Sequence, residues 1–182
     1  MEVLELPLAG LKLLRPRVFK DARGHFVETY SEPRYRAAGV DCTFVQDNFS
    51  RSFARTLRGL HYQARPGQAK LLRVTLGRTF HVAVDLRSDS PTFGRSHGVE
   101  LDASDVSELF VPLGFAHGFC ALTVIADVAY KVSALYDPAT ERTIRWDDPE
   151  LAIAWPISEP LLSERDRDAE SFAAFRAQAG IP

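Results

Sequence analysis

The sequence predicts an all-β fold, a sandwich or barrel of short strands with small helices at its periphery. Two observations predict it. The apolar residues fall into many short stretches with the alternation typical of strands, and the 11 glycines and 11 prolines are scattered between those stretches and not pooled in a linker. At 182 residues the chain has the length of one domain, so we expect a single domain over residues 1–182.

The predicted strands follow one another along most of the chain. They are expected at residues 11–19, 25–30, 43–49, 57–63, 69–76, 79–87, 107–111, 119–125 and 128–136. A first helix is expected to begin at Ser31, with Pro33 in its first turn and Gly39 as its end. A second helix is expected near residues 168–179, ending at Gly180.

Composition and charge remove several classes of partner. The net charge is −2, 46% of the residues are hydrophobic and 25% are charged, so disorder, a nucleic-acid partner and a polybasic membrane surface have no support. Cys42 and Cys120 are too few and too far apart for a disulfide framework or a CxxC metal site. The N-terminal stretch carries Glu2 and Glu5 where a secretory signal would carry cations. We therefore expect a cytoplasmic protein that binds neither nucleic acid nor membrane.

Lys70 breaks the pattern of its predicted strand. Side chains alternate along a strand, so Leu72, Val74 and Leu76 share one apolar face, and Lys70 continues that face. Burying an ammonium group is costly unless a negative charge meets it. Two interpretations stay open: Lys70 ends the strand and extends to water, or it supplies a cation inside a cavity.

Gly59 interrupts the strand that contains Arg58 and His61. Strict alternation would send these two side chains to opposite faces, so a shared site requires a bulge at Gly59. Considered alone, each of His61 and His117 fits a structural histidine with a hydrogen-bond partner better than a catalytic one.

Tyr130 and Tyr136 are expected on one face of the last predicted strand. Considered alone, the two tyrosines could be core aromatics whose hydroxyl groups reach a partner.

A series of short motifs runs along the chain in a fixed order. They are residues 21–24 (DARG), 26–28 (FVE), 46–50 (QDNFS), 57–63 (LRGLHYQ), 68–70 (QAK), 84–87 (VDLR), 90–94 (SPTFG), 114–119 (GFAHGF), 130–131 (YK), 136–138 (YDP), 147–149 (DDP) and 162–166 (LSERD). Together they resemble the dTDP-4-dehydrorhamnose 3,5-epimerase family of nucleotide-sugar epimerases. The resemblance implies a cupin-like antiparallel β-barrel or jelly roll and no metal or organic cofactor. It also implies a homodimer in which a neighbour's strand, including residues 23–28, completes each site.

The resemblance also implies roles for individual residues. His61 resembles the general base, oriented by Asp166 from a C-terminal loop, Tyr130 resembles the general acid, and Lys70 resembles the cation that stabilises an enolate. The positions that resemble substrate contacts are Arg23, Phe26, Glu28, Gln46, Asn48, Arg58, His117, Tyr136, Glu141 and Arg165, with Tyr136 stacked on the thymine. His25, His81 and His97 are expected to be surface or strand histidines.

The expected activity is inversion of C3 and C5 of dTDP-4-dehydro-6-deoxy-D-glucose to give dTDP-4-dehydro-L-rhamnose. A 3- or 5-monoepimerase of a deoxysugar pathway is the alternative, because the same catalytic residues would serve it. Two distant alternatives are a metal-dependent cupin and a nucleotide-sugar binding module. A metal site of that kind begins with two histidines that have one residue between them. At that place the chain has His61, Tyr62 and Gln63, so the second histidine is replaced by a glutamine. Binding alone would not need an acid and a base.

Overall fold

Strands dominate the computed structural model of the chain, which describes residues 1–181. The elements in chain order are β1 (Glu2–Glu5), β2 (Lys12–Arg15), β3 (Val18–Asp21), β4 (Gly24–Val27), α1 (Glu32–Ala37), β5 (Gln46–Phe53), β6 (Leu57–Gln63), β7 (Lys70–Leu76), β8 (Arg78–Asp85), β9 (Ser96–Asp102), β10 (Glu108–Val111), β11 (Phe115–Ala121), β12 (Ile125–Val132), β13 (Glu141–Thr143), α2 (Glu164–Arg167) and α3 (Phe172–Ala179).

The strands form two large sheets and one hairpin. The six-stranded sheet has the order β1-β2-β10-β7-β12-β5, and the five-stranded sheet has the order β13-β6-β11-β8-β9. Every pairing between these strands is antiparallel. The hairpin of β3 and β4 is a separate two-stranded sheet. The prediction of an all-β, cupin-like antiparallel fold with peripheral helices is confirmed.

The main core lies between the two large sheets. Leu72 on β7 and Leu109 on β10 come from the six-stranded sheet, and Ala83 on β8 and Phe119 on β11 come from the other. Each fully buried leucine of such a layer stabilises the fold by about 1.5–3 kcal/mol. Because successive side chains point to opposite faces of a sheet, each strand contributes some side chains to this layer and the others to the outer face of its sheet.

Two smaller clusters cover the outer faces of the sheets. Tyr35 of α1 packs with Leu71 and Phe110 on the six-stranded sheet. Phe172 and Phe175 of α3 pack on the outer face of the five-stranded sheet. α1 and α3 therefore shield sheet faces and take no part in the layer between the sheets.

Both predicted helices form, with shorter bounds at the C-terminal one. α1 follows Ser31 as its N-cap residue and has Pro33 in its first turn, and Gly39 adopts a φ of +82° just beyond it. α3 begins after Ser171 and ends at Gly180, which adopts a φ of +67°. Positive φ values of this kind suit glycine because it lacks a Cβ atom.

Several strand boundaries were predicted wrongly. The expected strand at 11–19 is two strands, β2 and β3, because Pro16 has no N–H to donate to a ladder. The strands expected at 119–125 and 128–136 lie closer to the N-terminus, as β11 and β12. Tyr136 therefore lies beyond the end of β12, so the prediction that it shares a strand face with Tyr130 was wrong.

Three strands of the structure were not predicted at all. β1, β9 and β13 each lie at the edge of a large sheet, and most of their residues are partly or fully exposed. Without one continuous apolar face they lack the alternation by which a strand is recognised in a sequence. None of the helices within residues 1–181 is long and apolar enough to cross a membrane.

Candidate active site

A cavity of about 150 Å³ lies between the sheets and is lined by five of the polar side chains that the sequence singled out. Arg58 and His61 of β6 and His117 of β11 line it from the five-stranded sheet. Lys70 of β7 and Tyr130 of β12 line it from the six-stranded sheet. Two walls with different chemistry therefore face the same space.

A bulge brings Arg58 and His61 to the same cavity. His117 pairs with His61 and Phe119 pairs with Arg58, so two steps on β11 match three steps on β6. Gly59 lies in this bulge with a φ of +129°, and a Cβ atom there would lie 2.5 Å from Cα of Gly118. The predicted bulge at Gly59 is confirmed, and glycine is required by both the φ angle and the close approach.

His61 is bonded to a buried carboxylate. Its Nε2 lies 2.6 Å from Oδ1 of Asp166, whose side chain is only 4% exposed. Burial raises the pKa of Asp166, but hydrogen bonds from His61, Ser163 and the backbone of Gly59 outweigh burial and lower it overall. Asp166 therefore stays ionised and accepts a hydrogen bond from the Nε2–H group of His61, which leaves Nδ1 of His61 free to act as a base.

Asp166 lies in α2 and not in the loop that was expected. The hydroxyl of Ser163 accepts a hydrogen bond from the backbone N–H of Asp166 at 3.1 Å, which caps the N-terminus of the helix. A serine followed three residues later by an acidic residue is a known helix-start pattern, and it could have predicted this short helix.

Lys70 is the first residue of β7, and its side chain is partly buried. Its Nζ lies 3.4 Å from the backbone carbonyl oxygen of His61 across the cavity. Burial lowers the pKa of Lys70 to about 8, with the charge of Glu141 opposing the change and that of Arg165 adding to it. Lys70 thus ends its strand, as one interpretation expected, while lining the cavity, as the other expected.

Tyr130 faces the cavity from the sheet opposite His61. It pairs with Asn48 on β5 and Leu72 on β7. Burial raises the pKa of its phenol above the ordinary value, and the charge of Arg58 opposes this only in part. The hydroxyl therefore remains protonated at neutral pH and can act as a proton donor.

A second cavity of about 390 Å³ continues from the first. Arg58 and His61 line both, and Arg165 and Asp166 line the second one. Arg165 donates from Nε to the hydroxyl of Thr143 at 2.9 Å and forms an ion pair with Glu141. Two guanidinium groups beside an open groove are suited to bind phosphate oxygens.

The rim beside Tyr130 holds three more of the predicted residues. Gln46 donates from its amide to Asn48 at 2.7 Å, and its carbonyl oxygen accepts from the backbone N–H of Tyr136 at 3.3 Å. Tyr136 is 55% exposed, so its ring is free to contact a ligand.

Three of the predicted substrate contacts lie away from both cavities and from the rim beside Tyr130. Arg23 and Phe26 lie in the hairpin of β3 and β4, with the Arg23 side chain 90% exposed and Phe26 68% exposed. Glu28 follows the hairpin and accepts a hydrogen bond from Arg34 at 2.8 Å. None of the three lines either cavity.

Sequence reasoning missed two features of the cavity wall. Oγ of Ser50 is buried in the wall and has no hydrogen-bond partner among residues 1–181, and no local pattern signals such an atom. His81 was expected to be an ordinary strand or surface histidine; it lies on β8, is fully buried and contacts His117. His97 lies on β9, and His25 is exposed on β4. Within residues 1–181, no three His, Cys, Asp or Glu side chains cluster as a metal site would require.

The comparisons with known proteins agree with this geometry. The sequence model described as dTDP-4-dehydrorhamnose 3,5-epimerase matches residues 5–174. The chain belongs to the dTDP-4-dehydrorhamnose 3,5-epimerase family. A protein of that name from Pseudomonas aeruginosa is 49% identical over 175 residues, which cover 95% of this chain and 97% of the relative. The expectation of an isomerase that epimerises a carbohydrate is confirmed.

Solved structures of related epimerases share the fold of this one. A dTDP-6-deoxy-D-glucose-3,5-epimerase from Legionella pneumophila, in complex with dTDP-4-keto-L-rhamnose, is 42% identical with a TM-score of 0.93, over 97% of this chain and 95% of that one. A 3′-monoepimerase from Streptomyces bikiniensis, in complex with dTDP-quinovose, is 37% identical with a TM-score of 0.88, over 97% of this chain and 90% of that one.

Proposed function

We propose that this epimerase inverts C3 and C5 of dTDP-4-dehydro-6-deoxy-D-glucose and releases dTDP-4-dehydro-L-rhamnose. The single observation that carries the proposal is the placement of His61 and Tyr130 on opposing sheets, with Lys70 in the same cavity. Inversion requires proton removal from one face of a carbon and proton delivery to the other face, and two opposed walls provide both.

The first step is removal of the proton on C3 or C5 by Nδ1 of His61. The electron pair of the C–H bond forms a carbon–carbon double bond to C4, and the charge moves to the oxygen on C4. The ammonium group of Lys70 stabilises this enolate, because a fixed charge in a dry cavity acts more strongly than water does. Asp166 stabilises the imidazolium that forms, as a carboxylate does in catalytic dyads.

The second step is proton delivery from the hydroxyl of Tyr130 to the opposite face of the same carbon. The enolate returns to the ketone, and the resulting tyrosinate and imidazolium are reset by proton exchange with solvent. An acid and a base of this kind each contribute a rate factor of about 10²–10⁴. No metal or organic cofactor is needed in this scheme, since the substrate's own carbonyl group accepts the charge.

The remaining predicted residues fit the nucleotide diphosphate. Arg58 and Arg165 lie along the groove that leaves the cavity, where the diphosphate would follow the sugar. His117, Gln46, Asn48 and Glu141 lie around the sugar end in this proposal. The exposed ring of Tyr136 would stack on the thymine.

We also propose that the protein acts as a cytoplasmic homodimer that exchanges the hairpin of β3 and β4. A two-stranded hairpin alone is marginally stable in water, and this one exposes Phe19 and Phe26. Arg23, Phe26 and Glu28 would then reach the cavity of the neighbouring subunit. The free state of Cys42 and Cys120 fits a reducing compartment.

The test is incubation with dTDP-4-dehydro-6-deoxy-D-glucose in D₂O, followed by NMR of the sugar. Deuterium at both C3 and C5 is expected. His61→Ala should incorporate deuterium at neither carbon, whereas His97→Ala, a matched change on the edge strand β9, should behave as the unmodified protein does. Deuterium at one carbon only would establish the monoepimerase alternative, the activity named for the Streptomyces bikiniensis enzyme. Absence of deuterium from both carbons would refute both activities.

A further inference from the structure

A chain of three side chains lies behind the cavity wall. Thr79 and His81 of β8 are fully buried, and His117 of β11 is 8% exposed at the cavity. Oγ1 of Thr79 lies 2.7 Å from Nε2 of His81. Nδ1 of His81 lies 3.1 Å from Nε2 of His117. The hydrogen bonds therefore lead from a buried hydroxyl to a side chain of the proposed active site.

The register of two strands creates this chain. His117 pairs with Ala83, and Phe119 pairs with His81, so all four side chains lie on one face. The small side chain of Ala83 leaves room for His81 to lean towards His117, and the two rings lie edge to edge and nearly coplanar, with centres 5.3 Å apart and an angle of 14° between their planes. Phe119 stacks on His81 with ring centres 5.2 Å apart and excludes water from it.

Both imidazoles are neutral in this environment. Burial lowers the pKa of His81 to about 3. Burial, together with the nearby Lys70, His81 and His61, lowers the pKa of His117 well below its ordinary value. A neutral imidazole carries one N–H, so each ring donates from one nitrogen and accepts at the other.

The hydroxyl of Thr79 fixes which nitrogen carries the proton. Within residues 1–181, Nε2 of His81 is the sole hydrogen-bond partner of that hydroxyl. A buried hydroxyl hydrogen without an acceptor is costly, so the hydroxyl donates and Nε2 of His81 accepts. His81 then carries its proton on Nδ1, and this N–H group donates a hydrogen bond to Nε2 of His117. Since Nε2 of His117 accepts, the proton of His117 lies on Nδ1. The opposite arrangement would direct two hydrogens at each other between Thr79 and His81, or leave one buried hydrogen without an acceptor.

We propose that Thr79 and His81 are positioning residues that hold His117 as its Nδ1–H tautomer, so that His117 donates a hydrogen bond into the cavity beside Lys70. This inference rests on the proposed function for its consequence: the enolate oxygen would receive a second donor besides the ammonium group. The tautomer itself is a property of the resting protein and does not depend on any substrate.

The direct test is ¹⁵N NMR of the histidine rings in the protein without substrate. We expect Nδ1 of His117 to show the shift of a protonated nitrogen and Nε2 that of a bare nitrogen. Thr79→Val keeps the shape and removes the hydroxyl, so a mixture of tautomers should appear, and Thr79→Ser should restore the single form. A proton on Nε2 of His117 in the unmodified protein would overturn the inference, even if the epimerase activity is as proposed.

Kinetics of the same variants supply a second test. Thr79→Val should lower kcat about fivefold and leave KM within about twofold, because fewer molecules present the second donor to the enolate. Thr79→Ser should stay within about twofold of the unmodified protein in both constants, since its hydroxyl is retained. An unchanged kcat together with an unchanged tautomer in Thr79→Val would remove Thr79 from this role.

Discussion

The charge on Lys70 sets an upper pH limit for the proposed activity, because only the protonated amine can stabilise an enolate. The pKa of Lys70 is lowered to about 8 by burial, whereas that of Tyr130 is raised, so Lys70 is the first of the two to lose its proton as the pH rises. We expect kcat/KM to fall above pH 8 with an apparent pKa near 8. The measurement is the initial rate of deuterium incorporation across pH 6–11.

Lys70→Arg provides the matched control for this limit. A guanidinium keeps its proton throughout that range, so the fall near pH 8 should disappear even if the rate is lower at neutral pH. The effect of Lys70 on the free energy of unfolding should have the opposite sign to its effect on activity as the pH rises. The unfolded chain holds more protons at Lys70 between about pH 8 and 10.5, so this residue's contribution to the free energy of unfolding increases with pH in that window. A fall near pH 8 that persists in Lys70→Arg would assign the limit to another group.

Single residues differed in how far the sequence could locate them. The alternation of side chains is local, and it identified Lys70 as an anomaly on an apolar face. The bond between His61 and Asp166 joins positions 105 apart, so only the resemblance to a family could pair them. His81 was interpreted as ordinary because its contact with His117 depends on the register of β8 against β11, which no local pattern contains.

Among the strands, β6 depends most directly on one glycine. Gly59 and Gly24 have nearly the same φ, +129° and +131°, but a Cβ atom on Gly59 would meet Gly118 and His117, and one on Gly24 would meet nothing within 4 Å. Gly24→Ala should cost about 1–3 kcal/mol for the backbone angle alone. Gly59→Ala should cost about 1–3 kcal/mol more for the forced separation of β6 and β11. Urea unfolding measures both, and equal costs would contradict the role assigned to the close approach.

Strands inside the sheets were more predictable than strands at the edges. The prediction for β6 gave its bounds correctly, and those for β7, β8 and β10 were within two residues at each end. These strands bury a face and so carry the apolar pattern. β1, β9 and β13 are held by backbone hydrogen bonds to one neighbour, which every residue type except proline can form, and their side chains gave no signal.

For the molecule as a whole, the proposed exchange of the hairpin predicts that the dimer depends on the exposed face of β4. Phe26→Asp places a charge on the exposed face of β4, so it should shift the protein from dimer to monomer and reduce activity, because each site would lose its neighbour's residues. Sedimentation velocity measures the change. Leu113→Asp is the control, since Leu113 is also exposed but lies in the turn between β10 and β11, and it should leave the dimer intact. A dimer that persists in Phe26→Asp would exclude the hairpin from the interface.

That the chain forms one domain over residues 1–182 stays a prediction, although the family model spans residues 5–174. The global arrangement of sheets was accessible from the sequence as a class of fold, because many short strands without a parallel crossover allow few architectures. The pairing order was not, since β2 joins β10 and β5 joins β12 across long stretches of chain.

The layer of Leu72, Leu109 and Phe119 also sets the separation of the two large sheets, between which a sugar ring would bind. Neither His61 nor Tyr130 sits on a mobile flap; both are built into the walls. The thickness of this hydrophobic layer therefore sets the distance between the base and the acid, on which inversion depends. We expect shortening of Leu109, which belongs to this layer but does not line the cavity, to slow inversion at both carbons.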